Sequence, residues 1–283
     1  MKSMVEIETS LPRRFSPGTS SVLVLPPFIA AWAAYSALQT QGFAWPEAVT
    51  FLLLYLATGI SITAGYHRYY AHRSYDCARG VQLFYLIFGA AAYQHTVIRW
   101  ASDHRYHHRY VDQNADPYNI TRGFFWAHMG WIFFDNPTQP RPYANVTDLK
   151  TDPLVAWQDR WYVPIALLAG FGVPALIGWA TGRLWPCIAW GALVRLVVVH
   201  HGTFLINSAA HQWGSQEHDK TSSARDNRWL AFFTLGEGYH NYHHAFPGDY
   251  RNGSRLLDFD PAKWLIRGLK TLGWAWNLRT PRS

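Results

Sequence analysis

The chain has 283 residues, with 25 Lys and Arg against 18 Asp and Glu, and a formal net charge of +7. Its two cysteines, Cys77 and Cys187, exclude a disulfide scaffold, a Cys-rich zinc module and a Cys-ligated iron–sulfur centre. The mean hydropathy of −0.12 resembles that of a soluble enzyme, but it averages long charge-free stretches with loops dense in Arg, His and Asp, and the 15 Trp suit rings at membrane interfaces.

Glu6 and Glu8 interrupt the charged start of the chain, so a cleaved signal is not expected there. Charged residues are then absent from Phe15 to Pro46 and again from Ala48 to Tyr66. Trp161 to Gly182 is a third such run, and Leu184 to Gln216 a fourth, whose single formal charge is Arg195. About 20 apolar residues in a helix cross the hydrocarbon layer. The predicted spans are residues 20–39, 48–66, 161–180 and 186–207, paired by short turns into two hairpins.

A fifth apolar run, Val81 to Ile98, lies between histidine clusters, and one more span there would put those clusters on opposite faces of the bilayer. Charge supports four spans: 23 of the 25 Lys and Arg fall before the first span, between Arg68 and Arg160, or between Lys220 and Arg282. The positive-inside rule makes that face cytoplasmic, with both termini and the histidines on it. Val81 to Ile98 is therefore predicted to be a buried or interfacial helix. Near the C-terminus, Asp260 and Pro261 open a helix whose Trp264, Leu265, Leu269 and Leu272 oppose Lys263, Arg267 and Lys270. This helix suits either the membrane surface or the protein's own cytosolic part. Without repeats or linkers, residues 1–283 read as one all-α membrane domain: four transmembrane helices in two hairpins, with a cytosolic helical cap formed by residues 67–160 and 208–283.

Histidines concentrate in three clusters: His67 with His72; His104, His107 and His108; and His240, His243 and His244. The last two share one spacing, and residues at i, i+3 and i+4 lie on one side of a helix, so each cluster can aim three imidazoles at one place. His67 and His72 are about 140° apart round an α-helix and suit a helix end better. His211 emerges from the fourth span on the same side. A catalytic zinc takes three protein ligands and a structural one four, so eight or nine histidines argue for two metals; redox chemistry at a membrane favours iron, while the spacing alone leaves zinc open. His95, His128, His200, His201 and His218 fall outside this set and read as packed or polar structural residues. His200, His201 and Arg195 lie deep in the fourth span, where polar groups are costly and often functional.

Several stretches together resemble the membrane fatty acid desaturases, specifically the stearoyl-CoA (acyl-CoA delta-9) branch, in a bacterial form without a fused cytochrome b5 domain. They are Gly65 to Tyr75 around His67 and His72, Trp100 to His108, Asp116-Pro117 with Arg122-Gly123-Phe124-Phe125, Asn207 to His211, and Gly236 to His244. The resemblance implies four membrane helices under a cytosolic cap and two irons held by His67, His72, His104, His107, His108, His211, His240, His243 and His244, with Asn207 reaching one iron through water. It offers Asp103, Asp112, Asp116 and Glu237 as carboxylates that orient imidazoles, Asp112 being the one best read as a solvated loop charge. Gln94, Trp100 and Thr203 resemble the residues at the bend of the family's apolar acyl tunnel, and Asp103 and Arg122 resemble residues that receive the substrate headgroup.

The implied reaction is O2-dependent insertion of a cis double bond, delta-9 in this branch, into a saturated fatty acyl chain, with water released and electrons supplied from outside. With no flavin, haem or iron–sulfur motif in the chain, a ferredoxin, rubredoxin or cytochrome with its reductase is the expected donor. The other expected partners are membrane lipid and acyl-CoA, and no nucleic acid is expected. Ser102 and Thr121 replace arginines of the animal enzymes that help receive CoA, which keeps phospholipid-bound and carrier-protein-bound acyl groups open as substrates. The rival readings are a di-iron hydroxylase or decarboxylase of lipids or alkanes on the same histidine frame and, from another class, a haem or metal carrier. The implied location is a bacterial inner membrane.

Overall fold

The structure is a computed structural model and describes residues 14–134 and 143–281. Glu6 and Glu8, with the reading of the chain's first residues that rests on them, lie outside the described residues. Among the described residues, four helices are long and apolar enough to cross a membrane: α1 (Pro17–Gln41), α2 (Trp45–Ala71), α8 (Tyr162–Ala180) and α9 (Leu184–His211). Pro17 and Pro46 sit in the first turns of α1 and α2, where a missing N–H costs nothing, and Gly42, at φ 68°, ends α1. The spans are paired as expected, through turns 42–44 and 181–183. Arg183 ties these turns together, its Nε donating to Glu47 at 2.8 Å and its Nη2 to the Gly42 carbonyl at 2.9 Å.

Large apolar side chains point outward from the bundle, among them Phe28, Trp32, Leu53, Leu168 and Trp179, while small residues bring the helices together. Ala33, Ala37 and Ala189 form one contact between α1 and α9. A Cβ on Gly191 would lie 2.5 Å from the Thr50 side chain, so α9 approaches α2 as only glycine permits.

The first, second and fourth spans run further toward the histidine face than the sequence indicated, while the third keeps its expected limits to within a residue; α2, α8 and α9 contain wide π turns, at Ser61–Ala71, Leu168–Gly172 and Ala189–Val194. In α2 the His72 N–H donates to the His67 carbonyl, an i→i+5 bond of 3.1 Å. Residues five apart are thus one π turn apart, which brings together two histidines that a regular α-helix would separate.

The apolar run from Val81 to Ile98 is broken. Helix α3 (Arg79–Ala90) is 12 residues long, about 18 Å against a hydrocarbon core of about 30 Å. It lies against α2, and a Cβ on Gly89 would come within 2.3 Å of the Tyr66 ring. A turn over residues 91–96 leads into α4 (Val97–Tyr110), whose N-cap Thr96 accepts from the Arg99 N–H. The cap continues with α5 (Phe124–His128), α6 (Thr147–Lys150), α7 (Pro153–Arg160), α10 (Arg228–Phe233), α11 (His240–Ala245) and α12 (Pro261–Thr271). A two-residue antiparallel ribbon, β1 (Asp76–Cys77) with β2 (Ala275–Trp276), fastens the C-terminal segment to the loop after α2.

Asp260 caps α12 as expected, accepting the Lys263 N–H at 3.0 Å. The buried face differs from the expected one: Ala262, Lys263, Ile266 and Leu269 turn inward and Trp264 and Leu272 outward. Lys263 belongs to the buried set because its ammonium donates to the carbonyls of Gly253, Arg255 and Asp258. The helix therefore packs on the protein's own cap.

Candidate metal centre

Four elements deliver nine imidazoles to one place: the end of α2 (His67, His72), α4 (His104, His107, His108), the end of α9 (His211) and α11 (His240, His243, His244). They form two groups rather than the three of the sequence. His67, His72, His104, His108 and His243 make one, and His107, His211, His240 and His244 the other; within each group the ligand atoms lie within 4.8 Å of one another. Helix geometry corrects the expectation that each cluster serves one point. At about 100° per residue, i and i+4 are about 40° apart, whereas i+3 falls about 60° to the other side of i. Thus α4 gives His104 and His108 to the first group and His107 to the second, and α11 gives His240 and His244 to the second and His243 to the first.

All nine rings turn Nε2 inward. Nε2–Nε2 separations are 3.0 Å for His67–His243, 2.7 Å for His72–His104 and 2.9 Å for His243–His108 in the first group. In the second group they are 3.1 Å for His240–His211 and 3.1 Å for His244–His240. The two groups meet at His108 and His244, whose rings stack with centroids 4.3 Å apart.

The outward Nδ1 atoms of His67, His107 and His211 face oxygens that fix ring orientation, while those of His240 and His243 are buried without a hydrogen-bond partner among the described residues. His67 faces Glu237 at 2.8 Å and His107 faces Asp116 at 2.9 Å. His211 and the Ser223 hydroxyl are 2.7 Å apart, and that hydroxyl donates to Asp112 at 2.5 Å. Asp112 is therefore not a solvated loop charge; it acts on His211 through Ser223, a partner that no sequence signal announced. Asp103 is buried beside His104 and lines the cavity below. Burial pushes its carboxyl up to about 7, against the pull of Arg99. Behind Glu237 stands Arg68, buried between two histidines of its own cluster, donating to Glu237 at 3.1 Å and pairing with Asp260 at 2.9 Å. Burial alone would raise the Glu237 pKa, but His67 and Arg68 hold it below the usual carboxylate value.

Burial, reinforced by neighbouring imidazoles, lowers His72, His104, His108, His240, His243 and His244 well below the ordinary histidine pKa. These six rings are neutral at physiological pH. A neutral imidazole has one N–H, so Nε2 atoms at these separations cannot all be satisfied by one another. Lone pairs converging in sets of five and four, with Nδ1 of His67, His107 and His211 directed at oxygen, are a donor set for two transition-metal ions. The residues fit the di-iron group implied by the sequence.

Beneath the histidines lies a cavity of about 410 Å³, lined by residues of all four spans and of α4. Gln94, Trp100 and Thr203 meet in its wall: the Trp100 indole N–H donates to Gln94 Oε1 at 3.1 Å, and Gln94 Nε2 donates to Thr203 Oγ1 at 2.9 Å. Trp100 also stacks on His104, with ring centroids 5.1 Å apart. Asn207 lines the same cavity one turn before His211, with His107 and His240 also in the wall. Arg122 lies elsewhere. It is exposed, and its guanidinium covers the Trp126 ring at 3.5 Å, so the structure does not bring it to the cavity.

The remaining five histidines all lie outside the two groups. His200 donates to or accepts from none of the nine; its Nε2 is 2.9 Å from the Ala92 carbonyl. His128 bridges Ser208 at 2.9 Å and His201 at 3.0 Å, and His218 packs on Tyr242. His95 lines the cavity.

A family model described as "Fatty acid desaturase" matches residues 43–252. The chain is 43% identical over 261 residues to "Probable acyl-CoA desaturase" of Schizosaccharomyces pombe, covering 90% of this chain and 52% of that one. It is 40% identical over 226 residues to "Acyl-CoA desaturase 1" of Saccharomyces cerevisiae, covering 80% and 44%. To "Stearoyl-CoA desaturase 5" of Homo sapiens it is 37% identical over 226 residues, covering 78% and 68%. The chain spans about half the length of the two yeast relatives. These relatives are eukaryotic and lend no support to a bacterial source. With the match covering most of the chain and all nine histidines, the chain belongs to the fatty acid desaturase family.

Proposed function

We propose that this protein is an O2-dependent fatty acyl desaturase that places a cis double bond, at delta-9, in a saturated acyl chain carried as acyl-CoA. The observation that carries this reading is the position of the apolar cavity directly beneath the two histidine groups. The relatives' printed names, acyl-CoA and stearoyl-CoA desaturase, supply the substrate class.

The nine histidines are the proposed ligands of two irons, with Asn207 acting through water on the second group. Iron held there would activate O2, with two electrons from outside, for removal of one hydrogen from each of two neighbouring methylenes and release of water. The chain's own residues do the rest. A mid-chain methylene has no functional group to recognise, so selectivity comes from how far the chain enters and where the wall bends it. Trp100, Gln94 and Thr203 form a hydrogen-bonded strut across that wall, and the stacking of Trp100 on His104 fixes the strut relative to the first group. Glu237, Asp116 and the Asp112–Ser223 pair hold three rings so that Nε2 faces inward. Asp103, at the cavity wall, is the proposed contact for the substrate's polar end. Arg122 is given no substrate role.

In the proposed topology the basic histidine face and both termini are cytoplasmic. A separate ferredoxin, rubredoxin or cytochrome docks on that face and delivers electrons. Expression in a host unable to make unsaturated fatty acids, beside a His107→Ala and His243→Ala double variant, tests the reading. A new cis-monounsaturated acid of unchanged carbon count in the wild type alone is expected. Hydroxylated or shortened products would replace desaturation by the rival oxygenase reading.

A further inference from the structure

Arg195 is fully buried within a membrane span, where a charged group is costly and is retained for a reason. It has no ion-pair partner among the described residues. Its Nη1 instead donates to the carbonyl of Ala91 at 2.7 Å, and its Nε to the Gly191 carbonyl of its own helix at 3.1 Å. Ala91 closes the C-terminal end of α3, where unsatisfied carbonyls concentrate negative charge. Five residues further along α9, His200 Nε2 meets the next carbonyl, that of Ala92, at 2.9 Å. Helix α9 thus holds two consecutive carbonyls of the turn between α3 and α4.

That turn carries Gln94. Both neighbours of Gln94 have left-handed backbones, Tyr93 at φ 55° and His95 at φ 70°, a conformation that non-glycine residues keep only where surrounding structure enforces it. The enforcing contacts come from the membrane helices. The Tyr93 hydroxyl donates to the Ala166 carbonyl at 2.9 Å, the His95 N–H donates to the Tyr162 hydroxyl at 3.1 Å, and Arg195 and His200 hold the two preceding carbonyls. Gln94 is then presented to Trp100 and Thr203 from a turn with little freedom. Unlike His200, Arg195 is not part of the cavity wall; it reaches the cavity only through the turn.

We propose that Arg195 is a positioning residue for regioselectivity: by clamping the Ala91 carbonyl it fixes the strained turn that sets Gln94, and so fixes which carbon of the acyl chain lies under the histidines. The inference rests on the desaturase reading above. A misplacement of about 1 Å is worth about 100-fold in rate at a reacting carbon, so a loosened turn changes which carbons react before it abolishes reaction.

Arg195→Met and Arg195→Gln are expressed beside the wild type and beside Arg183→Met, which breaks a comparable contact at the opposite end of the bundle. Iron per chain and the positional isomers of the product are measured. The expected result is wild-type iron content with a rise of about tenfold in the minor positional isomers for the Arg195 variants, and an unchanged isomer ratio for Arg183→Met. An unchanged isomer ratio in an Arg195 variant that holds iron would overturn the proposal and leave Arg195 a fold residue. Loss of iron from both Arg195 variants would also overturn it, by making the clamp a requirement of the metal centre. A wild type that makes no unsaturated product fails the desaturase reading itself, an outcome distinct from either.

Discussion

Each histidine is useful only in one ring orientation, and for His67, His107 and His211 an oxygen facing Nδ1 sets it. Replacing such a partner typically lowers metal affinity by about 10- to 100-fold. Glu237→Gln is expected to fall in that range, because the substitution weakens the contact to His67 and leaves buried Arg68 with Asp260 as its only carboxylate. Ser223→Ala should lower affinity in the same direction but by less, since it releases His211 from Asp112 without adding an unpaired charge beside a ligand. Competition titration with a coloured iron chelator measures both. Equal affinity for wild type and Glu237→Gln would remove the carboxylate's orienting role.

The nine histidines stand out in the sequence because two triplets at i, i+3 and i+4, joined by a third cluster on the same face, exceed what packing asks of imidazole. Their sorting into two groups does not stand out. It depends on how α4 and α11 face one another, which no local spacing encodes. Asp112 reads as a loop charge for a related reason: its value depends on Ser223, 111 residues away, and a loop serine carries no signal of its own. Arg195 is ambiguous in the sequence because its partner is a backbone carbonyl, and every residue has one.

Elements hold the centre by fastening their ends. Asp260 caps α12, accepts the Asn252 and Gly253 N–H groups, and pairs with Arg68. Losing an N-cap costs about 1 kcal/mol, and breaking a buried ion pair costs up to about 3 to 5 kcal/mol, less here because Arg68 keeps Glu237. Asp260→Ala is therefore expected to lower thermal stability sharply and to loosen iron binding through Glu237. Asp258→Ala, which removes a half-buried carboxylate of the same loop that accepts the Arg255 N–H, should cost far less and leave iron binding unchanged. Melting in detergent with and without iron separates the two.

Asp148, on α6, joins Arg73 after α2 to Arg105 on α4. Burial alone would raise its pKa, but hydrogen bonds from the two arginines hold it down to about 2. A carboxylate depressed in the folded state adds stability above its unfolded pKa and loses it as pH falls through the folded value. The stability gap between wild type and Asp148→Asn should thus be full near neutral pH and close between about pH 4 and pH 2. The pair is partly solvated, so the gap should also shrink in high salt. A gap independent of pH would assign it to packing. The π turns belong to the same scale. Ser61–Ala71 contains no proline or other local marker of a widened helix, and the five-residue step from His67 to His72 hints only at an irregular helix end.

At the scale of the whole molecule, two kinds of surface are set apart. Phe28, Trp32, Leu168 and Trp179 are exposed on the four apolar helices, while 23 of the 25 Lys and Arg fall on the segments that the sequence assigns to the histidine face. This division is the most readable part of the sequence, because long charge-free runs and lopsided Lys and Arg counts are properties of composition rather than of contact. The fate of the Val81 to Ile98 run is readable too, since a fifth span would part His72 from His104, which the structure places 2.7 Å apart by their Nε2 atoms. The cavity's volume and its strut are not, because they arise where four spans and α4 meet.

In the proposed centre, four elements share out nine histidines as five and four around two irons, each of α4 and α11 serving both. Iron per chain, measured on wild type, on a His211→Ala and His240→Ala variant, and on a His67→Ala and His72→Ala variant, tests this division most directly. Two irons are expected in the wild type and one in each variant, with the Mössbauer signals of the two singly loaded forms differing and together accounting for the wild-type spectrum. A single iron in the wild type, or identical spectra from the two variants, would contradict the division.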